Sequence, residues 1–253
     1  MSTDELLTYL FDGQSHVLFP PMATWLASRR FMAFVTAFRS KIRKKLRGAR
    51  EQESLHDLRL ELETAYLLLR ERSLSVVYEP QGCEGARCPD YAVTFTTSLT
   101  FMLEVTRQRP ATDRTPTLAR EQTSHVAERL GATVCGKLGQ LSGQHSNVLI
   151  VGLDAPCSAQ DLHAVMLGVQ HRAERNDPNL VARHGFRDRA DFFSHYRRLS
   201  EVLVRPPQLN EVEGVACWVN PQARRPLPTK VRTALLHSHT AQAEHEGVRQ
   251  PRA

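Results

Sequence analysis

No apolar run in this 253-residue sequence approaches the ~18–20 residues that cross a bilayer as a helix. Its opening residues, MSTDELLTYL, lack the basic-then-apolar order of a secretory leader, so a cytoplasmic location is expected. Cysteine is sparse and odd in number: Cys83, Cys88, Cys135, Cys157 and Cys217. Only the first two are close, and no second pair at ligand spacing completes a zinc site, so reduced thiols are expected. There is no Walker-type loop, no G-x-G-x-x-G and no G-x-S-x-G. Those gaps argue against nucleotide hydrolysis, dinucleotide binding and a serine-hydrolase elbow. His163 and His171 lie eight positions apart, which is not ligand spacing on a helix. No internal repeat is present.

Acid is missing from one long stretch. Between Arg29 and Arg50 there are nine Lys or Arg residues and no Asp or Glu. Phe31, Val35, Phe38, Ile42 and Leu46 recur through it at three- and four-residue spacing, which predicts an amphipathic helix. Three readings fit: a docked helix with a solvated basic face, an arm contacting phosphates, and a membrane-surface helix. The net charge of +6 and pI near 9.3 suit a polyanionic partner.

What is present reads as alternating helices and strands. A second helix is predicted from a Ser54 cap through LHDLRLELETAYLLLRE, burying Leu55, Leu58, Leu62, Ala65 and Leu69. Glu61 borders that stripe, whereas Glu63 shares a face with Arg59 and Arg70 and is expected to meet water. SVVYEP, residues 75–80, is a short strand and QGCEGARCP a loop. The segment CPDYAVTFTTSLTFMLEVTR then reads as a hairpin turning at Thr96-Thr97-Ser98. In that register Tyr91 faces Leu103, Val93 faces Phe101, and Asp90 falls opposite Glu104. One face collects only apolar residues and the other collects both acids with Thr106. Carboxylates opposed at ~5.5 Å repel, so they share a proton or a cation such as Mg²⁺, or one pairs with a nearby arginine, Arg87 or Arg107.

Downstream, TLAREQTSHVAERLGATVCGKLGQL (117–141) predicts a helix with Val126, Leu130, Val134, Leu138 and Leu141 against the sheet. Lys137 and Gln140 border that packed face. Lys137 either reaches the acids or snorkels to water. Gly131, Gly136 and Gly139 suggest close helix–sheet approach. NVLIVGLD predicts a buried strand and SAQDLHAVMLGVQHRAE a helix capped by Ser158 with Asp161. A short helix with a strand (ADFFSHYRRLSEVLVR), then a last strand, a proline-bounded loop and a terminal helix complete the order. The tail from His237, with His239 and His245, reads as disordered.

The order helix with Glu61, short strand, loop, Pro89-Asp90, strand, turn, and strand with Glu104-Val105-Thr106 resembles the PD-(D/E)XK nuclease superfamily. LSEVLV (199–204) and WVNP (218–221) resemble the closing segments of bacterial proteins with that core. The resemblance spans residues 54–236. It implies an α/β fold of restriction-endonuclease type, a mixed central sheet flanked by helices, here with a basic amphipathic extension over residues 1–53 and a tail over 237–253. It further implies that Glu61, Asp90 and Glu104 hold Mg²⁺ or Mn²⁺ and that a lysine positions the attacking water on a phosphodiester. Thr106 stands where that lysine belongs; threonine carries no positive charge. Some members supply a lysine or glutamine from the following helix, and Lys137 and Gln140 then take the catalytic place beside Asp90 and Glu104.

The expectation is a metal-dependent nuclease-like protein whose partner is nucleic acid, DNA ahead of RNA, with the basic N-terminal helix on the backbone phosphates. The alternative is a catalytically inactive nuclease-fold protein that binds nucleic acid or a protein partner, and a membrane-surface role ranks third.

Overall fold

The computed structural model describes residues 1–81, 88–109, 119–208 and 215–240, without the side chains of 119–124 and 240. Cys83, Arg87, His245 and the start of the helix predicted from Thr117 lie outside the described residues.

Three helices come first: α1 (Thr3–Phe11), α2 (Phe19–Trp25) and α3 (Arg29–Gly48). Ser2 caps α1 through a reciprocal box with Glu5, satisfying two orphan amides at once. In α3 the predicted stripe is buried at Phe31, Val35, Ile42 and Leu46, with Phe34 in addition. Phe38 departs from helical geometry and marks a kink. These helices share one apolar cluster with α4 (Gln52–Arg70) and the first strands. The apolar stripe of the basic helix is therefore docked against the rest of the protein.

Helix α4 begins two residues before Ser54, with Glu51 at the cap position. It packs on α3, on β1 (Leu74–Tyr78), on β3 (Leu99–Arg107) and on α8 (Thr229–Thr240). A helix covered from so many directions cannot keep a polar face, and this overturns the expectation for Glu63. Its side chain is 1% exposed and pairs with Arg205, itself 4% exposed, at 3.0 Å. The Arg205 guanidinium also donates to the Thr64 hydroxyl and the Pro206 carbonyl. These bonds satisfy both terminal nitrogens of the guanidinium, while its Nε is buried without a partner, and such contacts offset part of the cost of burying the pair.

The sheet has six strands in the order β1-β2-β3-β4-β5-β6, with β2 at Tyr91–Phe95, β4 at Asn147–Gly152, β5 at Leu199–Arg205 and β6 at Ala216–Val219. β1, β2 and β3 form an antiparallel meander, β3, β4 and β5 run parallel, and β6 returns antiparallel. The hairpin register is the one its alternation predicts: Tyr91 pairs with Leu103 and Val93 with Phe101. The parallel steps require crossovers, supplied by α5 (Ala119–Leu138) and by α6 (Ala159–Glu174) with α7 (Arg189–Tyr196). Every residue of β4 and β5 is buried because both sheet faces are covered. Val148, Ile150 and Leu203 join the cluster with α3 and α4, whereas Leu149, Val151 and Val202 join a second cluster with α5, α6 and α7. The molecule is thus an α/β protein with a mixed sheet flanked by helices.

Three local expectations are corrected. Gly131 serves approach to another helix, not to the sheet: a Cβ there would lie 3.0 Å from Val169 on α6, while one at Gly136 or Gly139 meets no close neighbour. The terminal helix runs through Thr240 and buries Ser238 and His239, so four residues assigned to the tail, 237–240, belong to the helix; residues 241–253 are outside the described set. Cys88 is disulfide-bonded, while Cys135, Cys157 and Cys217 are free. The expectation of reduced thiols rested on an odd count and wide spacing, which weigh against a disulfide framework but not against one bridge.

Candidate active-site cleft

The meander and α5 enclose an open cleft of about 610 Å³, lined by Asp90, Glu104, Lys137 and Gln140, with Lys41, Glu79, Pro80, Gln81 and Cys88 at its rim. Alternation along β3 places Glu104 on the face away from Leu103 and Phe101, toward α5. One step beyond the Tyr91–Leu103 pair, the same register sets Asp90 beside Glu104. Two further contacts fix Asp90: its carbonyl accepts from the Glu79 amide at 2.8 Å, and Oδ2 accepts from the Val105 amide at 2.8 Å. The two strand acids sit side by side in one cleft, as the sequence pattern requires.

Lys137 reaches the strand acids from α5. It stands in the last turn of α5, four residues before the buried Leu141 and one before the buried Leu138. Its Nζ donates to Glu104 Oε1 at 2.7 Å, with the lysine 25% exposed and the glutamate 8%. The snorkelling alternative is therefore not the conformation adopted. Gln140, in the turn that ends the helix, lines the same cleft. Thr106 is half-buried two residues along β3. Arg107, the other described partner considered for the acids, is occupied elsewhere: Glu53, Asp57 at 3.2 Å and Asp154 at 3.5 Å hold its guanidinium.

Burial pushes the Asp90 carboxyl up to about 8, and the charges of Glu61 and Glu104 push in the same direction; the Val105 amide and Lys45 oppose them. At neutral pH this carboxyl keeps a proton unless a cation replaces it. Crowded acids that resist simultaneous ionisation are a donor set for a hard cation. Among the described residues, however, no three His, Cys, Asp or Glu side chains converge closely enough to hold a metal ion together. The set that fits is therefore the Asp90–Glu104 pair, and Mg²⁺ is commonly held by one or two carboxylates with waters and substrate oxygens completing its shell.

Glu61 approaches from the other side of the sheet edge. Its backbone carbonyl accepts from the Tyr91 hydroxyl at 2.8 Å, and its carboxylate is bound by Lys45 at 2.6 Å. Lys45 also reaches Glu79 at 2.9 Å and lies over the Tyr78 ring at 4.8 Å. Burial pulls the Lys45 ammonium down, but Glu61 and Glu79 outweigh it and hold the pKa above the usual lysine value. Lys41, one turn earlier, donates to the Tyr78 and Glu79 carbonyls.

Sequence reasoning missed Lys41, Lys45 and Glu79. The signal was the four-residue spacing of two lysines beside the apolar stripe of α3, hidden within a run of cations. Glu79 holds a φ of 44°, a region that non-glycine side chains seldom adopt. The same run is largely spent inside the molecule. Arg30 donates to the Leu69 and Glu71 carbonyls, and Arg43 and Arg47 pair with Asp12.

No helix among the described residues is long and apolar enough to cross a membrane. No protein-family model matches the chain, and neither a curated protein nor a solved structure matches it.

Proposed function

We propose that this chain is a metal-dependent nuclease-like hydrolase of nucleic-acid phosphodiesters, built on a restriction-endonuclease-like variant of the mixed sheet. The observation that carries the reading is the 2.7 Å contact of Lys137 with Glu104 in a cleft that also presents Asp90 and Gln140. A lysine absent from the strand position is replaced, at the acids themselves, by one from the following helix.

Asp90 and Glu104 would hold Mg²⁺ or Mn²⁺, which when bound supplies a polarised water and neutralises phosphate charge. Lys137 would hold that water or the scissile phosphate through its ammonium, and Gln140 would orient the phosphate by hydrogen bonding. Glu61 can assist only by exchanging its Lys45 partner. Asp90 gives up its proton when its carboxylate is needed as a ligand.

A second reading has its own support: Thr106 in the motif and the Lys45–Glu61 pair are what a nuclease-fold protein that binds without cleaving would show. The test incubates the full chain with plasmid DNA, single-stranded DNA and RNA in Mg²⁺ or Mn²⁺, with EDTA as control. Metal-dependent cleavage that disappears in Asp90→Asn and Glu104→Gln supports the hydrolase. Cleavage that survives both substitutions refutes it, and salt-sensitive binding with no cleavage selects the second reading.

A further inference from the structure

Three segments with no acidic residue meet at one end of the sheet. They are residues 141–147 between α5 and β4, residues 196–200 leading into β5, and residues 220–230 after β6. Together they carry Arg197, Arg198, Arg224, Arg225 and Lys230, with His145. Segments so distant in sequence would not normally share a surface of one sign unless something holds them together.

Here two buried asparagines and a buried serine do so. The Asn147 side chain, 1% exposed, shares the two N–H groups of its Nδ2 among the carbonyls of Ser142, His145 and Arg198, each at 2.9 Å. Asn220, 2% exposed, donates to the carbonyls of Tyr196 at 3.0 Å and Leu199 at 2.8 Å. The Ser200 hydroxyl accepts from the Asn147 amide at 2.9 Å and donates to the Arg225 carbonyl at 2.7 Å. The Arg224 amide donates to the Arg197 carbonyl at 2.8 Å. Backbone is thereby fixed while the side chains of Arg197, Arg224 and Arg225 stand exposed. Among the described residues none of the three forms an ion pair, in contrast to Arg43, Lys45 and Arg47 on α3.

The surface is also continuous with the cleft. The Arg198 guanidinium donates to the Leu141 carbonyl at 3.4 Å, and Leu141 follows Gln140, which lines the cleft. Lys137 is one turn further back on the same helix end.

We infer that this arginine platform is the surface that engages the phosphate backbone of a nucleic acid and leads it toward the Asp90–Glu104 cleft. The inference rests on the nuclease reading for the choice of polyanion. It moves the backbone contact away from the basic N-terminal helix, where five of the nine cations between Arg29 and Arg50 are held within the protein. Fixed backbone with unpaired arginines suits phosphate oxygens, which accept bidentate guanidinium contacts at any sequence.

The test measures fluorescence-anisotropy titrations of the full chain with a labelled 20-base-pair duplex, in EDTA, across a salt series. The platform variant is R197Q/R224Q/R225Q, and the α3 control is R29Q/K44Q/R50Q, two positions on α3 and one just after it. Loss of three phosphate contacts should flatten the slope of log K against log salt by about 2–3 and weaken binding on the order of 100-fold at 0.15 M salt. Arginine-to-lysine substitution at the three platform positions should restore most of the slope, and hydrolysis of bis(p-nitrophenyl) phosphate with Mn²⁺ should be unchanged in the platform variant. An unchanged slope in the platform variant, or a loss confined to the α3 control, overturns the inference. So does binding of wild type to phosphatidylserine vesicles without binding to the duplex. Platform-dependent binding with no cleavage under any metal leaves this inference standing and removes the hydrolase instead.

Discussion

Moving one positive charge between two elements probes the cleft most directly. Lys137→Met removes the ammonium from the end of α5 while keeping an unbranched stem beside the buried Leu138 and Leu141. That ammonium lies 2.7 Å from Glu104 and is 25% exposed. A unit charge ~4 Å away interacts with it by about 4 kcal/mol at an effective dielectric of 20. Partial exposure lowers the lower bound to about 2 kcal/mol. The expected loss in the chemical step is therefore roughly 30- to 1,000-fold. The second half of the experiment adds Thr106→Lys. Thr106 and Glu104 share a face of β3 at a separation of ~6.6 Å along the strand, within reach of a lysine stem. The double variant T106K/K137M should regain at least about 10-fold over K137M, since the charge returns to the same carboxylate. Single-turnover cleavage with Mg²⁺, compared with duplex affinity in EDTA, separates chemistry from binding. K137M within threefold of wild type would refute the reasoning, whatever T106K does.

Other expectations concern the scaffold. Burial first, and the Arg205 guanidinium second, lower the His239 imidazole to about 4, with the Leu235 carbonyl opposing. The unfolded chain then binds a proton between pH ~6.5 and 4 that the folded chain refuses, so stability falls as pH falls through that window, by at most about 3 kcal/mol. In urea denaturation the gap between wild type and His239→Gln should shift by that amount from pH 7 to 4, and a constant gap would disprove the assignment. Glu63→Ala strands the Arg205 guanidinium in the interior and should cost about 3–5 kcal/mol, whereas E63L/R205M should come out much closer to wild type. Equal losses in the two variants would show that the pair itself, not the stranded charge, dominates.

How much of this was legible beforehand follows from the range of each interaction. The hairpin register, the pairing of Asp90 with Glu104 and the placement of Lys137 beside the packed face of α5 all follow from periods of two and 3.6 residues. Those periods are written into consecutive residues, so the sequence by itself determined them, as it did the apolar stripe of α3 and the Ser158–Asp161 cap of α6. Periodicity says which side of an element is apolar, but not what covers the other sides. Glu63 looked solvated because its partner, Arg205, stands at the end of β5, 142 residues away. The cations of α3 looked free because Asp12, Glu61 and Glu79 come from three other segments. The arginine platform had no signature at all, since its members meet through the side chains of Asn147, Ser200 and Asn220 and through a backbone bond from Arg224 to Arg197, all joining segments distant in sequence. Tertiary structure alone decided these, because a charge's meaning depends on the dielectric and the partners around it, and both are set by chain segments distant in sequence.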